Sequence, residues 1–196
     1  MSITIEPTGA TLGAYVRGVK LAELDEPTWR RILDAFHQYA VLVLPGQHPT
    51  PSVQQAFARR FGEIEVLREN SPSIPITNKG AAGEMLGEQS FHMQLLRGNE
   101  EWHTDSSYMP LASKAAVLSA QVVPTSHGGT EWADMRAAYD ALDDVMKARI
   151  APLVAHHDYF YSQGRIGHTV EVGQAYGFFD GEKPLRPLVK VHPVTG

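Results

Sequence analysis

The chain has 196 residues and a mass of 21.6 kDa, enough for one domain with a real buried core. Its 43% hydrophobic and 20% charged residues fit a soluble globular protein, and the absence of cysteine excludes disulfides and thiolate metal sites. A net charge of −5 gives no electrostatic footprint for nucleic acid.

The start, Met1-Ser2-Ile3-Thr4-Ile5-Glu6, has no basic region followed by an apolar core, so no signal peptide is expected. No apolar run approaches the length of a membrane span. The expected compartment is the cytoplasm.

Ile3 and Ile5 alternate with polar residues and predict a short strand. Gly9, Gly13 and Gly18 punctuate the next stretch, around a second short strand at Ala14-Tyr15-Val16-Arg17. A helix follows, capped by Asp25 or Glu26, with Pro27 in its first turn and Trp29, Ile32, Leu33 and Phe36 at helical spacing. Val41-Leu42-Val43-Leu44, stopped by Pro45-Gly46, reads as a buried strand. Thr50-Pro51 opens another helix with Val53, Phe57 and Phe61 inward and Gly62 as its stop.

Residues from about 66 to 100 are interrupted by Pro72, Pro75, Gly80, Gly83 and Gly87. They read as a long loop, part of a lid or substrate wall; an unstructured insertion is as good a reading for its middle. Ala115 to Val123, ended by Pro124, is a strand candidate. The glycines Gly128 and Gly129 predict a tight turn before a short strand that carries Thr130 and Trp132. Asp134 caps one helix, and Asp143-Asp144 begins another with Val145, Met146, Ile150 and Leu153 inward. Near the end, Leu188-Val189-Lys190-Val191 looks like a strand. No internal repeat, low-complexity tract or linker appears, so residues 1–196 read as a single domain.

The chemistry centres on Trp102-His103-Thr104-Asp105-Ser106-Ser107. On an extended strand, positions i and i+2 face the same side. One imidazole and one carboxylate would then aim at one point, two corners of a two-His-one-carboxylate site for Fe(II). The tripeptide alone is a weak signal, since a His and an Asp bonded to each other on a surface strand would read the same.

The surroundings sharpen it. Trp102 to Tyr108, then Leu118-Ser119-Ala120, then Gly128 to Leu142 resemble the taurine/2,4-dichlorophenoxyacetate dioxygenase family. So do Leu12 to Val19, Phe36 to Gly46 and the closing Pro187 to Gly196. The wording Asp-Ser-Ser and Asp-Met-Arg-Ala-Ala-Tyr-Asp-Ala-Leu is nearest the phenoxyacetate-type branch.

The resemblance implies an α+β fold, a double-stranded β-helix (jelly roll) with flanking helices. It implies an oxygenase that uses Fe(II) and 2-oxoglutarate, consumes O₂, hydroxylates a small organic, acidic substrate and releases succinate and CO₂. By resemblance His103 and Asp105 are metal ligands. Thr130 matches a threonine that binds the 2-oxoglutarate carboxylate, and Asn99 a position over the metal near cosubstrate and substrate. The turn reads Gly128-Gly129-Thr130, where the family usually carries an acidic or amide residue between glycine and threonine.

The family's third iron ligand, a late His, and its 2-oxoglutarate-binding Arg lie beyond the segment that ends at Gly196. His156, His157, His168 and His192 read as solvated or packing histidines, and Arg165 and Arg186 as surface residues. The expectation is therefore a jelly roll incomplete at its C-terminus. These 196 residues alone would be inactive, with poor solubility or a homo-oligomer covering the open edge. A non-catalytic remnant acting as a binding or interaction protein is the alternative reading. So is a cupin-like metal protein that takes a ligand from a partner chain.

Overall fold

Helix α1 (Glu26–Tyr39) is the longest element and the clearest case of local sequence making local structure. Asp25 accepts the Thr28 N–H at 2.9 Å, Pro27 sits in the first turn, and Trp29, Ile32 and Ala35 bury one face. Burying side chains the size of Trp29 or Ile32 contributes about 1.5–3 kcal/mol each. The helix ends where Ala40 turns left-handed, φ 62°, with its N–H on Phe36 O at 2.8 Å.

The computed structural model describes residues 3–67 and 73–196. Met1, Ser2 and residues 68–72 of the expected loop, Pro72 among them, lie outside the described residues. The chain divides into two compact units.

The first unit comprises Met1–Phe57, Val117–Leu153 and Pro187–Gly196. Strands β1 (Thr4–Pro7) and β2 (Ala14–Arg17) pair antiparallel, Thr4 opposite Arg17 and Pro7 opposite Ala14. Ala14 and Val16 are fully buried while Tyr15 and Arg17 point outward, the period-two pattern of a half-covered sheet. After α1 the chain returns as β3 (Leu42–Val43), parallel to β2. The order β1-β2-β3 puts β3 at an edge. The expected buried strand is thus a two-residue edge strand, with Val43 partly exposed. Helix α2 (Pro51–Arg59) sets Phe57 edge-on against Trp29, ring centres 6.0 Å apart.

Later in this unit, α4 (Met135–Asp140) and α5 (Asp144–Ile150) start at Asp134 and Asp143, as their caps predict. Arg136 ties α4 to the end of α1 by donating to Gln38 O at 3.0 Å. Val145, Met146 and Leu153 are exposed rather than inward. The residues at 115–123 and 130–132 form no strand. Apolar alternation is present there, but a strand needs a ladder partner, and Leu118, Val122, Val123 and Trp132 are instead exposed.

The second unit comprises Ala58–Ala116 and Val154–Arg186. The stretch read as a loop over 66–100 ends in a helix, α3 (Phe91–Gly98), whose first turn is capped by Ser90 on the Met93 N–H. Strand β4 (Val154–His156) leads into α6 (Tyr159–Arg165), capped by Asp158, and β4 pairs with β5 (Leu185–Pro187). The last strand thus lies at 185–187 and not at 188–191.

Helix α3 packs on α6 through Gln163, which is fully buried. Its amide donates to Leu95 O at 3.4 Å and accepts from His168 Nδ1 at 2.7 Å. Gly98 makes the close approach possible: a Cβ there would sit 1.9 Å from Gln163 Nε2. Tyr108, Tyr159 and Phe178 form a stack with centre spacings of 4.5 and 4.4 Å. Gly177, at φ 86°, lies against it where a Cβ would meet the Tyr108 ring at 2.4 Å.

Helices and small sheets together make the fold α+β. Of the expected double-stranded β-helix, the described residues form one three-stranded and one two-stranded sheet. No described helix is long and apolar enough to cross a membrane.

Candidate metal centre

His103 and Asp105 lie in the second unit on an irregular stretch entering a turn, not on a strand. The turn is closed by Met109 N–H donating to Ser106 O at 3.0 Å. Ser106 is left-handed, φ 51°, a conformation that costs a residue with a Cβ roughly 1–2 kcal/mol. The two side chains converge without strand geometry: His103 Nε2 lies 3.2 Å from Asp105 Oδ1, and both side chains are about half exposed.

The other ring nitrogen decides what that contact means. His103 Nδ1 lies 2.7 Å from Glu101 O. A carbonyl only accepts, so that hydrogen bond assigns the ring hydrogen to Nδ1. In the neutral ring, Nε2 then turns a lone pair toward a carboxylate oxygen. Two acceptors at this range favour a cation between them. A carbonyl holding the Nδ1 hydrogen and a carboxylate beside Nε2 fit a divalent cation. Among the described residues, no three His, Asp or Glu side chains come together as a metal group.

Around the pair the unit is aromatic. Burial raises the Tyr108 phenol well above its usual range, helped by Tyr159, Glu65 and Asp105 nearby. Burial likewise raises Tyr159, whose hydroxyl donates to Asn99 Oδ1 at 3.0 Å. Asn99 itself is exposed at the C-terminal end of α3. The structure therefore groups His103, Asp105 and Asn99 in one unit. Thr130 belongs to the other, in an exposed stretch after a turn made by His127 and Gly128, both at positive φ.

Three further histidines have structural partners. His168 is buried against Phe91 and Gln163. His192 Nδ1 accepts the Thr195 N–H at 3.1 Å, and His156 Nδ1 meets Lys183 O at 3.1 Å. Arg165 stays at the surface, 3.9 Å from Glu101.

Arg186 corrects its sequence reading. It is half-buried and donates to the carbonyls of Ser107, Met109 and Pro110, clamping the turn that follows Asp105. Glu65 was invisible in the sequence and has the same target. It accepts from Ser106 Oγ at 2.8 Å, from Ser113 Oγ at 2.7 Å and from the Tyr176 hydroxyl. No local signal marks either residue, because their partners lie at least 41 positions away.

Comparison with known proteins places this chain in a family. The model of the taurine catabolism dioxygenase TauD, TfdA family matches residues 4–196. The (S)-phenoxypropionate/alpha-ketoglutarate-dioxygenase of Sphingobium herbicidovorans is 48% identical over 198 residues, covering 98% of this chain and 67% of that protein. The alpha-ketoglutarate-dependent 2,4-dichlorophenoxyacetate dioxygenase of Cupriavidus pinatubonensis is 32% identical, with 100% of this chain and 71% of that protein covered. Among solved structures, AAD-2 in complex with Mn(II) and N-oxalylglycine superposes with a TM-score of 0.88 at 38% identity, over 100% of this chain and 69% of that one. The chain spans about two thirds of the length of these relatives. It belongs to the taurine catabolism dioxygenase TauD, TfdA family of Fe(II)- and 2-oxoglutarate-dependent dioxygenases.

Proposed function

We propose that this dioxygenase oxygenates a small aryloxyalkanoic acid of the phenoxypropionate type, in the cytoplasm and as one domain of the double-stranded β-helix class. The observation that carries the substrate class is the 48% identity to a phenoxypropionate dioxygenase. The single-domain reading is supported by one family model running across both units, and the β-helix class by the likeness to AAD-2.

In this reading His103 Nε2 and an Asp105 oxygen hold Fe(II). The neutral imidazole keeps its lone pair for the metal because Glu101 O occupies the Nδ1 hydrogen. Thr130 gives its hydroxyl hydrogen to a carboxylate oxygen of 2-oxoglutarate. Asn99 accepts from Tyr159 on Oδ1, so its Nδ2 hydrogens are the ones left to orient an acidic group. Bound Fe(II) supplies the oxidation: 2-oxoglutarate and O₂ become succinate and CO₂, with the second oxygen atom placed on the substrate.

The test supplies Fe(II), ascorbate, O₂ and 2-oxoglutarate, with and without (S)-2-phenoxypropionate, to these residues purified together with a segment carrying the family's late His and Arg. Succinate should rise with the aryloxy acid and fall when either Fe(II) or O₂ is withheld. Succinate formation indifferent to phenoxypropionate and to phenoxyacetate would remove the substrate assignment.

A further inference from the structure

Asp105 has one side-chain partner in view, His103, so its direction is set by the backbone that follows it. That backbone is unusual. Ser106 is buried and left-handed, a region that residues with a Cβ occupy only where surrounding contacts hold them. The contact at hand is Glu65. One of its oxygens, Oε2, takes both the Ser106 hydroxyl at 2.8 Å and the Ser113 hydroxyl at 2.7 Å. The other oxygen takes the Tyr176 hydroxyl. The carboxylate is therefore itself fixed from two sides before it fixes Ser106.

We propose that Glu65 is a positioning residue of the metal centre: through Ser106 it holds the left-handed turn that aims the Asp105 carboxylate at His103 Nε2. This rests on the reading of His103 and Asp105 as the metal pair. A residue that merely satisfied buried hydroxyls would affect folding stability alone. A positioning residue also changes metal affinity in protein that remains folded, because ligand orientation is part of binding.

The test is Mn(II) titration followed by the electron paramagnetic resonance of the free ion, with circular dichroism on each variant. Glu65→Leu removes both acceptors and should raise the Mn(II) dissociation constant about tenfold, the low end of outer-shell effects, while the protein stays folded at the assay temperature. Glu65→Gln keeps one acceptor oxygen and the side-chain shape, so it should recover most of that loss. Should Glu65→Leu not fold, Ser106→Ala deletes one hydroxyl and leaves Ser113 and Tyr176 on the carboxylate; it should weaken Mn(II) in the same direction. A folded Glu65→Leu or Ser106→Ala protein with unchanged Mn(II) affinity would overturn the proposal. His103→Ala separates the two levels. If it abolishes Mn(II) binding while Glu65→Leu does not change it, the pair stands and the role of Glu65 falls; if it leaves binding intact, both fall.

Discussion

His103 points Nε2 at Asp105 Oδ1, 3.2 Å away, while Glu101 O holds its Nδ1 hydrogen at 2.7 Å. The ring is thus oriented by the chain four residues before the carboxylate it faces. His103→Ala and Asp105→Ala should each abolish specific Fe(II) binding. Both side chains are about half exposed, so stability should change by no more than about 0.5 kcal/mol. Iron titration beside a urea melt checks both statements, and unchanged iron affinity in either variant removes the assignment.

Thr130→Val should weaken 2-oxoglutarate binding by about 1–3 kcal/mol, the cost of leaving a carboxylate contact unmade, and leave iron affinity nearly constant. Titration of the cosubstrate against the iron-loaded protein reads this directly. An unaltered constant would mean that the Gly128-Gly129 turn directs Thr130 elsewhere.

Gln163 bridges Leu95 O and the buried His168 Nδ1. Gln163→Leu should cost about 1–3 kcal/mol by leaving the buried His168 Nδ1 without its acceptor. Gly98→Ala should cost about 1–3 kcal/mol by driving a methyl group into the same amide. Urea unfolding gives both numbers. A neutral Gly98→Ala would show that the Gln163 side chain moves aside freely.

Acid should loosen the helix starts of the first unit. Thr28 bonds hold the Asp25 carboxyl below its usual range. At Asp134 burial pushes the other way, but bonds from Arg136 and from the Ala137 and Arg136 N–H groups outweigh it and the carboxyl again lies low. A carboxyl lower in the folded than in the unfolded state binds fewer protons when folded. Its contribution is therefore complete above about pH 4, the unfolded value, and is lost as pH falls through the folded one. Hydrogen exchange at Thr28, Arg136 and Ala137 should accelerate in that window. Asp25→Asn and Asp134→Asn should flatten the dependence.

Helix starts were the most legible part of this sequence. Asp25 with Pro27, and Asp134 and Asp143 before their apolar runs, act within one turn, so the local chain contains the whole interaction. Helix α3 was hidden because the glycines and prolines before it outweighed Ser90 as a cap. Strands were harder, since Val117 to Val123 has the composition of a strand but its ladder depends on a distant partner. His103 and Asp105 were paired on strand geometry, which the backbone there does not have. His103 and Asp105 do meet, but through a left-handed turn held by Glu65 and Arg186, whose contacts with it span 41 to 79 positions.

Among the described residues four of the six α-helices, α1, α4, α5 and α6, begin at an aspartate: Asp25, Asp134, Asp143 and Asp158. Each of these negative charges faces the positive end of a helix dipole, which stabilises it locally. Asparagine caps a helix about as well as aspartate. Replacing all four would raise the formal charge by four units with the helix starts kept, which makes the protein's isoelectric point adjustable almost independently of its fold.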